Sequence, residues 1–431
     1  MKLLAHFSLF LGLLSITLKA QNTPAPIKLV DIILTANHSD WNYKLNEEAT
    51  VKISVLRYGS TIENVAIEYQ YGPEQLTPEK KGTLKLENGV GEINIGTMNN
   101  PGFRQLKVQA KIDGYVYKNE IKAAYAPFEI QPTVTLPKDF DSFWKKAIAE
   151  NNKIPMDAQV TYKPELSTAT VDIYLVRLQN YKLGHYFYGY LSKPKDNKKH
   201  PVLFNPPGAG VKKIVPFTSY AEKGFISFTT EIHGVNPEMN ESDFQEMRKN
   251  LSDYWAINLN DKNNYYYKAV YLGCVRAIDF LTSLPEYDQK NVVVTGGSQG
   301  GALSIVTAGI DNRVNYISAF YPALSDNSGF LYNRAGGWPS MFSDKYQNNS
   351  PEKISTMEYY DVVNFAKKIK IPGFYSSGYN DNTCSPTSTL AAFNSVTAPK
   401  EIVITPISAH WRFGETDDQS MKWLREKCGI E

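Results

Sequence analysis

Cysteine is scarce in this chain, with three among 431 residues. An odd number at scattered positions, Cys274, Cys384 and Cys428, is neither a disulfide framework nor the spacing of a metal site. In an exported protein one disulfide bridge between two of these cysteines is possible, and the sequence does not favour any pair.

Charge of one sign is also lacking, because 46 Lys and Arg stand against 44 Asp and Glu for a net charge of +2. No basic stripe or Lys/Arg block stands out, so nucleic acid is not an expected partner. Long apolar runs are absent too, and no segment is suited to span a membrane.

The first twenty residues have the features of a secretory signal. Lys2 gives a positive start, residues 7–18 form a short apolar core, and Leu18-Lys19-Ala20 is an acceptable cleavage site. We therefore expect a signal peptide over residues 1–20 and a periplasmic or secreted protein. The alternative is a buried N-terminal strand or helix.

The next hundred residues have the alternation of β-strands. Val51, Ile53 and Val55 alternate with polar residues, and the Asn88-Gly89 and Asp113-Gly114 pairs are typical of tight hairpin turns. This pattern predicts a small antiparallel, Ig-like β-sandwich over residues 21–126.

Four aromatic residues of this region, Trp41, Tyr43, Tyr69 and Tyr71, could form a surface on which sugars stack. The pattern favours the other interpretation, in which they belong to the core of the sandwich.

From residue 127 onward the pattern changes, beginning with a proline-rich strap and an amphipathic helix over residues 139–151. Strands and helices then alternate. The predicted strands are residues 171–175, 186–191, 201–204, 225–229, 292–295, 316–320, 373–376 and 401–405. The predicted helices are residues 265–284, 300–309 and 386–394. Such alternation predicts an α/β domain with a mostly parallel, doubly wound sheet over residues 127–431.

Within that domain, Gly296-Gly297-Ser298-Gln299-Gly300 fits the G-x-S-x-G pattern. It follows an apolar strand and precedes a helix, and this is the setting in which the pattern forms the nucleophile elbow of an α/β-hydrolase. Ser298 is therefore the predicted nucleophile, and the backbone N–H of Gln299 a predicted oxyanion donor. The alternative is a glycine-rich turn that contains a serine by chance.

A serine nucleophile needs a base and an orienting carboxylate, which follow it in the order Asp or Glu, then His. His410, just after the last predicted strand, is the only histidine beyond Ser298. It is the predicted base, although a histidine without a role is the alternative.

Asp381, directly after the strand over residues 373–376, is the predicted acid, because carboxylates of this fold stand at that strand end. Asp326, Glu358 and Asp361 are rival candidates away from a clear strand end. A solvated turn aspartate is the remaining alternative.

The second oxyanion donor should lie in the loop after residues 201–204. Pro206 and Pro207 have no N–H, so Gly208, Ala209 or Gly210 must donate. A simple Pro-Gly turn is the alternative.

Together these residues resemble the carbohydrate esterase family that includes acetyl xylan esterases and cephalosporin-C deacetylases. The matching stretches run from about Phe140 to the C-terminus and are summarised by the following motifs: Asp139-Phe140-Asp141-Ser142-Phe143-Trp144, Tyr265-Tyr266-Tyr267, Thr295-Gly296-Gly297-Ser298-Gln299-Gly300-Gly301, Gly378-Tyr379-Asn380-Asp381 and Cys384-Ser385-Pro386.

The resemblance implies a Ser298–His410–Asp381 triad without a metal or organic cofactor, acting on small acyl esters of oligosaccharides. It also implies oxyanion donation by Gln299 and, with Pro207-Gly208-Ala209 where the family commonly has His-Gly-Tyr, by Ala209. His233-Gly234-Val235 replaces a frequent Arg-Gly-Gln, and the N-terminal β region is additional to the usual single-domain enzyme. Ring-like oligomers occur in the family, but this sequence does not fix an oligomeric state.

Two other functions remain open at this point. A serine peptidase of the prolyl-oligopeptidase type has the same triad order, although this β region is too short for a propeller. A glycan-binding protein with an inactive hydrolase fold is the second, and the complete Ser–Asp–His set argues against it.

Overall fold

The computed structural model describes residues 28–430, and the predicted signal peptide lies outside these residues. All three cysteines are free thiols. None of the helices in the described part of the chain has the length and apolarity needed to cross a membrane.

The first nine strands form two facing antiparallel sheets. They are β1 (Val30–Ala36), β2 (Asn42–Tyr43), β3 (Ala49–Arg57), β4 (Ser60–Thr61), β5 (Ala66–Pro73), β6 (Lys80–Lys85), β7 (Val90–Gly96), β8 (Gly102–Ile112) and β9 (Tyr115–Tyr125). One sheet joins β1, β4 and β7 to β3, and the other has the order β2-β9-β8-β5-β6, in which only the short β2 runs parallel to its neighbour.

The sandwich core follows from the alternation in the sequence. Val51, Ile53 and Val55 of β3 and Leu106 and Val108 of β8 point between the sheets and are almost fully buried. At the β8–β9 turn, the Asp113-Gly114 pair takes positive φ angles of 51° and 83°, as the sharp hairpin turn requires.

The four aromatic residues considered for sugar stacking lie in or against this core. Tyr43 is buried, and Trp41, Tyr69 and Tyr71 are partly buried and pack against the same cluster. The core interpretation therefore holds for these side chains.

The second sheet has nine strands in the order β10-β11-β12-β14-β13-β15-β16-β17-β18. They are β10 (Gln159–Tyr162), β11 (Val171–Gln179), β12 (Tyr186–Pro194), β13 (His200–Asn205), β14 (Ile226–Thr230), β15 (Tyr287–Gly297), β16 (Tyr316–Phe320), β17 (Gly373–Gly378) and β18 (Lys400–Thr405). Pairing is antiparallel from β10 to β14 through β12 and parallel from β14 to β18.

Helices cover both faces of this sheet. They are α1 (Phe140–Asn151), α2 (Ser219–Glu222), α3 (Glu241–Asn250), α4 (Tyr266–Thr282), α5 (Gln299–Ile310), α6 (Pro351–Glu358), α7 (Val362–Ala366), α8 (Pro386–Ser395) and α9 (Gly414–Cys428). Val292 and Val294 of β15 face the core beneath α4 and α5, whereas Val293 faces the one beneath α9. The mostly parallel, doubly wound sheet predicted from the sequence is confirmed.

The two parts of the chain share a core. Phe103 and Ala124 of the sandwich are fully buried within the main cluster of the second sheet. The strap between them is also fixed, because the Asn394 amide donates to the carbonyls of Pro127 and Ile130 at 3.1 and 2.9 Å. The sandwich is therefore packed into the body of the protein.

Candidate active site

The G-x-S-x-G segment forms a sharp turn between β15 and α5. Ser298 lies between the last residue of the strand and the first of the helix, with φ 60° and ψ −125°. This strained conformation is held by hydrogen bonds from the Ser298 N–H to Phe320 O at 3.0 Å and from Ala323 N–H to Ser298 O at 3.1 Å. It is the strand–turn–helix geometry that the motif predicts.

Close backbone packing explains why this turn needs glycine on both sides of the serine. A Cβ at Gly296 would lie 2.7 Å from the carbonyl carbon of Gly300, and one at Gly300 would lie 2.6 Å from Pro206 O. Both distances are far below van der Waals contact, so any side chain here would push the strand, the helix and the loop after β13 apart.

His410 lies between the serine and a carboxylate. Its Nε2 is 2.9 Å from Ser298 Oγ, and its Nδ1 is 2.8 Å from Asp381 Oδ2. Because a carboxylate only accepts hydrogen bonds, Nδ1 carries the proton and Nε2 is free to accept from the serine hydroxyl. The structure thus brings together the three residues selected from the sequence.

Asp381 lies in residues 379–384, which follow β17 and are called the acid loop below. Its side chain is fully buried, and its second oxygen accepts hydrogen bonds from the N–H groups of Thr383 and Cys384 at 2.8 and 2.9 Å. One carboxylate oxygen is therefore fixed by the loop backbone, which directs the other at His410.

Within the described residues, none of the three rival carboxylates bonds to His410, and two of them have structural contacts elsewhere. Asp361 caps α7 through the Val363 N–H and accepts another hydrogen bond from the Asp326 N–H. The Asp326 carboxylate binds Thr133 of the strap and pairs with Arg334. Glu358 ends α6, where burial raises its pKa.

Gln299 connects the turn to residues 206–210, called the oxyanion loop below. As the first residue of α5, its N–H has no partner within the helix. Its buried side chain accepts hydrogen bonds from the hydroxyls of Tyr254 and Tyr267 at 2.6 and 2.8 Å. The Nε2 of the same side chain donates to the backbone carbonyls of Pro207 and Gly208, each at 3.4 Å.

The oxyanion loop also contains Ala209, the second predicted donor, which is half-buried. The loop is held by the Gly210 N–H, which donates to the Tyr254 hydroxyl at 3.3 Å. Sequence reasoning missed Tyr254 and assigned no role to Tyr267. The Tyr265-Tyr266-Tyr267 run was the only signal for these contacts. A buried tyrosine usually needs a hydrogen-bond partner for its hydroxyl, so a run of tyrosines on a buried helix indicates polar partners nearby.

His233 and Glu231 lie behind this loop. The His233 ring packs edge-on against Tyr254 with centroids 4.6 Å apart, and its Nδ1 is 2.7 Å from the Tyr266 hydroxyl. Burial lowers the pKa of His233 to about 4, so the ring is neutral at pH 7. Burial raises the pKa of Glu231 to about 7, although its carboxylate accepts hydrogen bonds from backbone N–H groups.

On the other side of His410, Tyr321 packs edge-on against the imidazole with centroids 4.9 Å apart. Its hydroxyl accepts a hydrogen bond from Arg412 Nη1 at 2.8 Å, and burial raises its pKa. The Arg412 guanidinium lies 4.1 Å above the ring of Phe320. Neither Tyr321 nor Arg412 was identified from the sequence. Tyr321 packs against one face of the His410 ring, and Arg412 holds the Tyr321 hydroxyl.

Cys384 is the one thiol near the three residues in the described part of the chain. It is fully buried, and burial followed by the Asp381 charge raises its pKa well above the usual value. The thiol therefore stays protonated at neutral pH and is a poor nucleophile, since the thiolate is the reactive form.

Comparison with known proteins identifies the same region. The family model described as acetyl xylan esterase (AXE1) matches residues 128–427. Acetyl esterase Axe7A of Xylanibacter ruminicola is 45% identical over 397 residues, which are 91% of this chain and 89% of that protein. An alignment of this length extends well into the sandwich that precedes residue 128.

Two solved structures show the fold. The acetyl xylan esterase from Paenibacillus sp. R4 has a TM-score of 0.61 at 26% identity, covering 70% of this chain and 98% of its own. Acetyl Xylan Esterase 1 from Thermoanaerobacterium sp. JW/SL YS485 has a TM-score of 0.57 at 23% identity, covering 70% and 97%. About 70% of this chain therefore matches nearly the whole length of each of these two proteins.

Proposed function

The chain belongs to the acetyl xylan esterase (AXE1) family and is a carboxylic-ester hydrolase, and on that premise we propose that it removes acetyl groups from carbohydrate esters such as acetylated xylo-oligosaccharides. The proposed catalytic residues are Ser298, His410 and Asp381. The observation that carries this proposal is the continuous pair of hydrogen bonds, 2.9 and 2.8 Å long, from serine to histidine to aspartate.

The proposed reaction has two halves. His410 Nε2 takes the hydroxyl proton as Ser298 Oγ attacks the acetyl carbonyl carbon, and it returns the proton to the sugar oxygen when the ester C–O bond breaks. Water then attacks the acetyl-serine with His410 again as base, and acetate leaves. Asp381 keeps the imidazole in the required tautomer and stabilises its charged form.

The negative oxygen of each tetrahedral intermediate would be held by two backbone donors. The N–H of Gln299 is at the N-terminus of α5, where the helix has unsatisfied donors. Ala209 is the proposed second donor, since the oxyanion loop packs against Gly300 and the two prolines before it have no N–H. No step requires a metal ion or an organic cofactor.

The two alternative functions have less support. The N-terminal region is a sandwich of two small sheets, unlike the propeller of a prolyl-oligopeptidase. An inactive binding protein does not need a buried aspartate aligned on a histidine and a serine in a strained turn, but all three are present. We therefore keep the esterase as the working function.

The test is hydrolysis of p-nitrophenyl acetate, butyrate and octanoate, followed by acetate release from acetylated xylo-oligosaccharides. We expect acetate to be cleaved fastest and Ser298→Ala to lose at least about 10³-fold in kcat. The matched control is Ser304→Ala, whose hydroxyl only donates to Gly300 O at 2.8 Å within α5. An inert wild type, or a Ser298→Ala protein as active as Ser304→Ala, would contradict the proposal.

Export is proposed separately. Expression of the full chain in a bacterial host, fractionation and N-terminal sequencing should find the protein outside the cytoplasm, starting near Gln21. A cytoplasmic protein that retains residue 1 would be the opposite result.

A further inference from the structure

The acid loop is contacted on its outer side by the N-terminal sandwich. Strands β8 and β9 of the five-stranded sheet, together with Glu74 and Gln75 just after β5, contact residues 379–387. The contacts concentrate on the residues that surround Asp381 and are not spread evenly along the hydrolase.

A buried ion pair is at the centre of this contact. Lys122 and Glu74 are 0% and 2% exposed, and Lys122 Nζ donates to Glu74 Oε1 at 2.7 Å. The same ammonium donates to the backbone carbonyl oxygen of Asp381 at 2.7 Å. The second oxygen of Glu74 accepts a hydrogen bond from the Thr387 hydroxyl at 2.6 Å.

Two sandwich side chains also bind Asn382, the neighbour of Asp381. Gln105 Nε2 donates to the Asn382 side-chain oxygen and Gln75 Nε2 to the Asn382 carbonyl, each at 3.0 Å. The Asn382 amide in turn donates to the Glu120 carboxylate. The two peptide units that follow the Asp381 α-carbon are therefore both bonded to the sandwich, through Asp381 O and Asn382 O.

The start of the loop is fixed in the same way. The Tyr379 hydroxyl donates to Asn42 Oδ1 at 2.8 Å, and the Tyr379 ring packs edge-on against Phe103 with centroids 5.0 Å apart. Tyr379 is fully buried in this contact. Sandwich residues thus hold the loop before, at and after Asp381.

We propose that the sandwich is part of the catalytic apparatus and that Lys122 and Glu74 are positioning residues that hold the Asp381 loop in register with His410; this inference rests on the proposed function. A triad tolerates little displacement, because a misplacement of about 1 Å can cost about 100-fold in rate. Because the desolvation penalty of a buried ion pair can exceed its Coulombic gain, the pair is weak evidence for stabilisation of the fold, and we assign this one a role in geometry.

The geometry of the Lys122 contact distinguishes positioning of Asp381 from mere attachment of the sandwich to the hydrolase. Attachment of the sandwich is already provided by Phe103 and Ala124 in the shared core and by the strap. The hydrogen bond from Lys122 goes to the backbone carbonyl of the proposed catalytic acid itself, where it can fix the position of Asp381.

The experiment compares Lys122→Met/Glu74→Leu with Arg57→Met/Asp113→Asn in the full chain, using p-nitrophenyl acetate. The first variant removes the buried pair without leaving a lone charge, and the second removes an exposed pair of the same sandwich. We expect the first to lose at least about 10-fold in kcat with KM changed less than about twofold, and the control to match the wild type.

The pH profile of kcat gives the readout that a merely structural role would not move. If Asp381 is displaced, the imidazolium loses part of its carboxylate partner, and the acidic limb of the profile moves to lower pH. Asn382→Ala is the second variant, because this residue is exposed and we expect its truncation to cost little stability. We expect it to lower kcat about threefold with the same direction of shift.

A folded double variant with wild-type kcat and pH profile would overturn the positioning role. If the double variant does not fold, Asn382→Ala decides whether contacts from the sandwich position the acid loop, and wild-type kinetics in that protein would overturn that part of the proposal. An active wild type with unaffected variants contradicts only this inference, whereas a wild type inert toward every acetyl ester contradicts the proposed function and this inference with it.

Discussion

The two loops beside Ser298 are supported in different ways. The oxyanion loop is held from within the hydrolase, by the Gln299 amide and the Tyr254 hydroxyl. The acid loop is held from outside it, by a buried Lys122–Glu74 pair of the sandwich. One support is neutral and local to the sheet, and the other is charged and comes from a second sheet system.

The comparison with known proteins falls along the same division. Tyr254, Tyr267 and Gln299 lie inside residues 128–427, which match the family model, whereas Glu74 and Lys122 precede them. The hydrolase region thus contains its own support for the oxyanion side, whereas part of the support for the acid side lies outside the residues that the family model matches.

Of the changes that test this comparison, substitution of Asp381 should have the largest effect on kcat. In Asp381→Asn, the two N–H donors of Thr383 and Cys384 would keep the amide oxygen on their side, so the NH₂ would face His410 Nδ1. The imidazole would then carry its proton on Nε2 and could not accept from Ser298. We expect kcat to fall about 10⁴-fold with little change in KM, measured with p-nitrophenyl acetate.

The control for that variant is Asp418→Asn, which changes the same chemical group on the exposed side of α9. It should keep wild-type kcat. An Asp381→Asn protein with more than about a tenth of wild-type kcat would remove Asp381 from the triad.

A pH experiment tests the oxyanion side. Burial lowers the pKa of His233 from 6.5 to about 4, so the unfolded chain binds a proton there at higher pH than the folded chain. Its contribution to stability is complete above about pH 6.5 and is lost as pH falls toward 4, by about 3 kcal/mol. Glu231, with its pKa raised to about 7, has the opposite dependence over a similar range.

His233→Gln separates the two groups, because the Glu231 contribution is common to both proteins. The free energy of unfolding of the wild type minus that of the variant should fall by about 3 kcal/mol between pH 7 and pH 4, measured by urea denaturation. Above pH 7 the difference should be constant, which serves as the internal control. A difference that does not vary with pH would show that His233 titrates alike in both states.

The smallest effect should come from one hydroxyl. Tyr254→Phe removes a donor to Gln299 and leaves the Gly210 N–H without its partner, while Tyr267 still binds Gln299. We expect kcat to fall about 10-fold and the free energy of unfolding by about 1 kcal/mol. Steady-state kinetics and urea denaturation measure the two quantities.

Tyr271→Phe is the matched control, since its buried hydroxyl donates at 2.9 Å to Tyr360 O, which belongs to neither loop. It should lose a similar amount of stability but keep kcat within about twofold. Equal losses of kcat in both variants would mean that Tyr254 acts through stability alone.

The sequence identified the site where its signals are local. Apolar runs placed the strands, and β16 has the predicted bounds, because a buried parallel strand is a continuous apolar segment between turns. The serine turn followed from adjacent glycines. His410 followed because it is the last histidine of the chain, after a strand end.

What the sequence did not indicate depends on contacts between distant residues. Lys122 and Asp381 are 259 positions apart, and no local pattern distinguishes this buried lysine from an exposed one. Helix α9 was also missed, because most of its residues are polar and its apolar contact with the sheet is formed by Met421, Trp423 and Leu424 with the partly buried Cys428.

The shared core has a consequence for how such a chain can change over evolutionary time. Domains joined by a free linker are exchanged between proteins as independent units, but Phe103 and Ala124 complete the interior of the neighbouring domain. A hydrolase with a different sandwich would need side chains of matching volume at both positions. We therefore expect this sandwich and this hydrolase to vary together, with a substitution on one side of the contact compensated on the other.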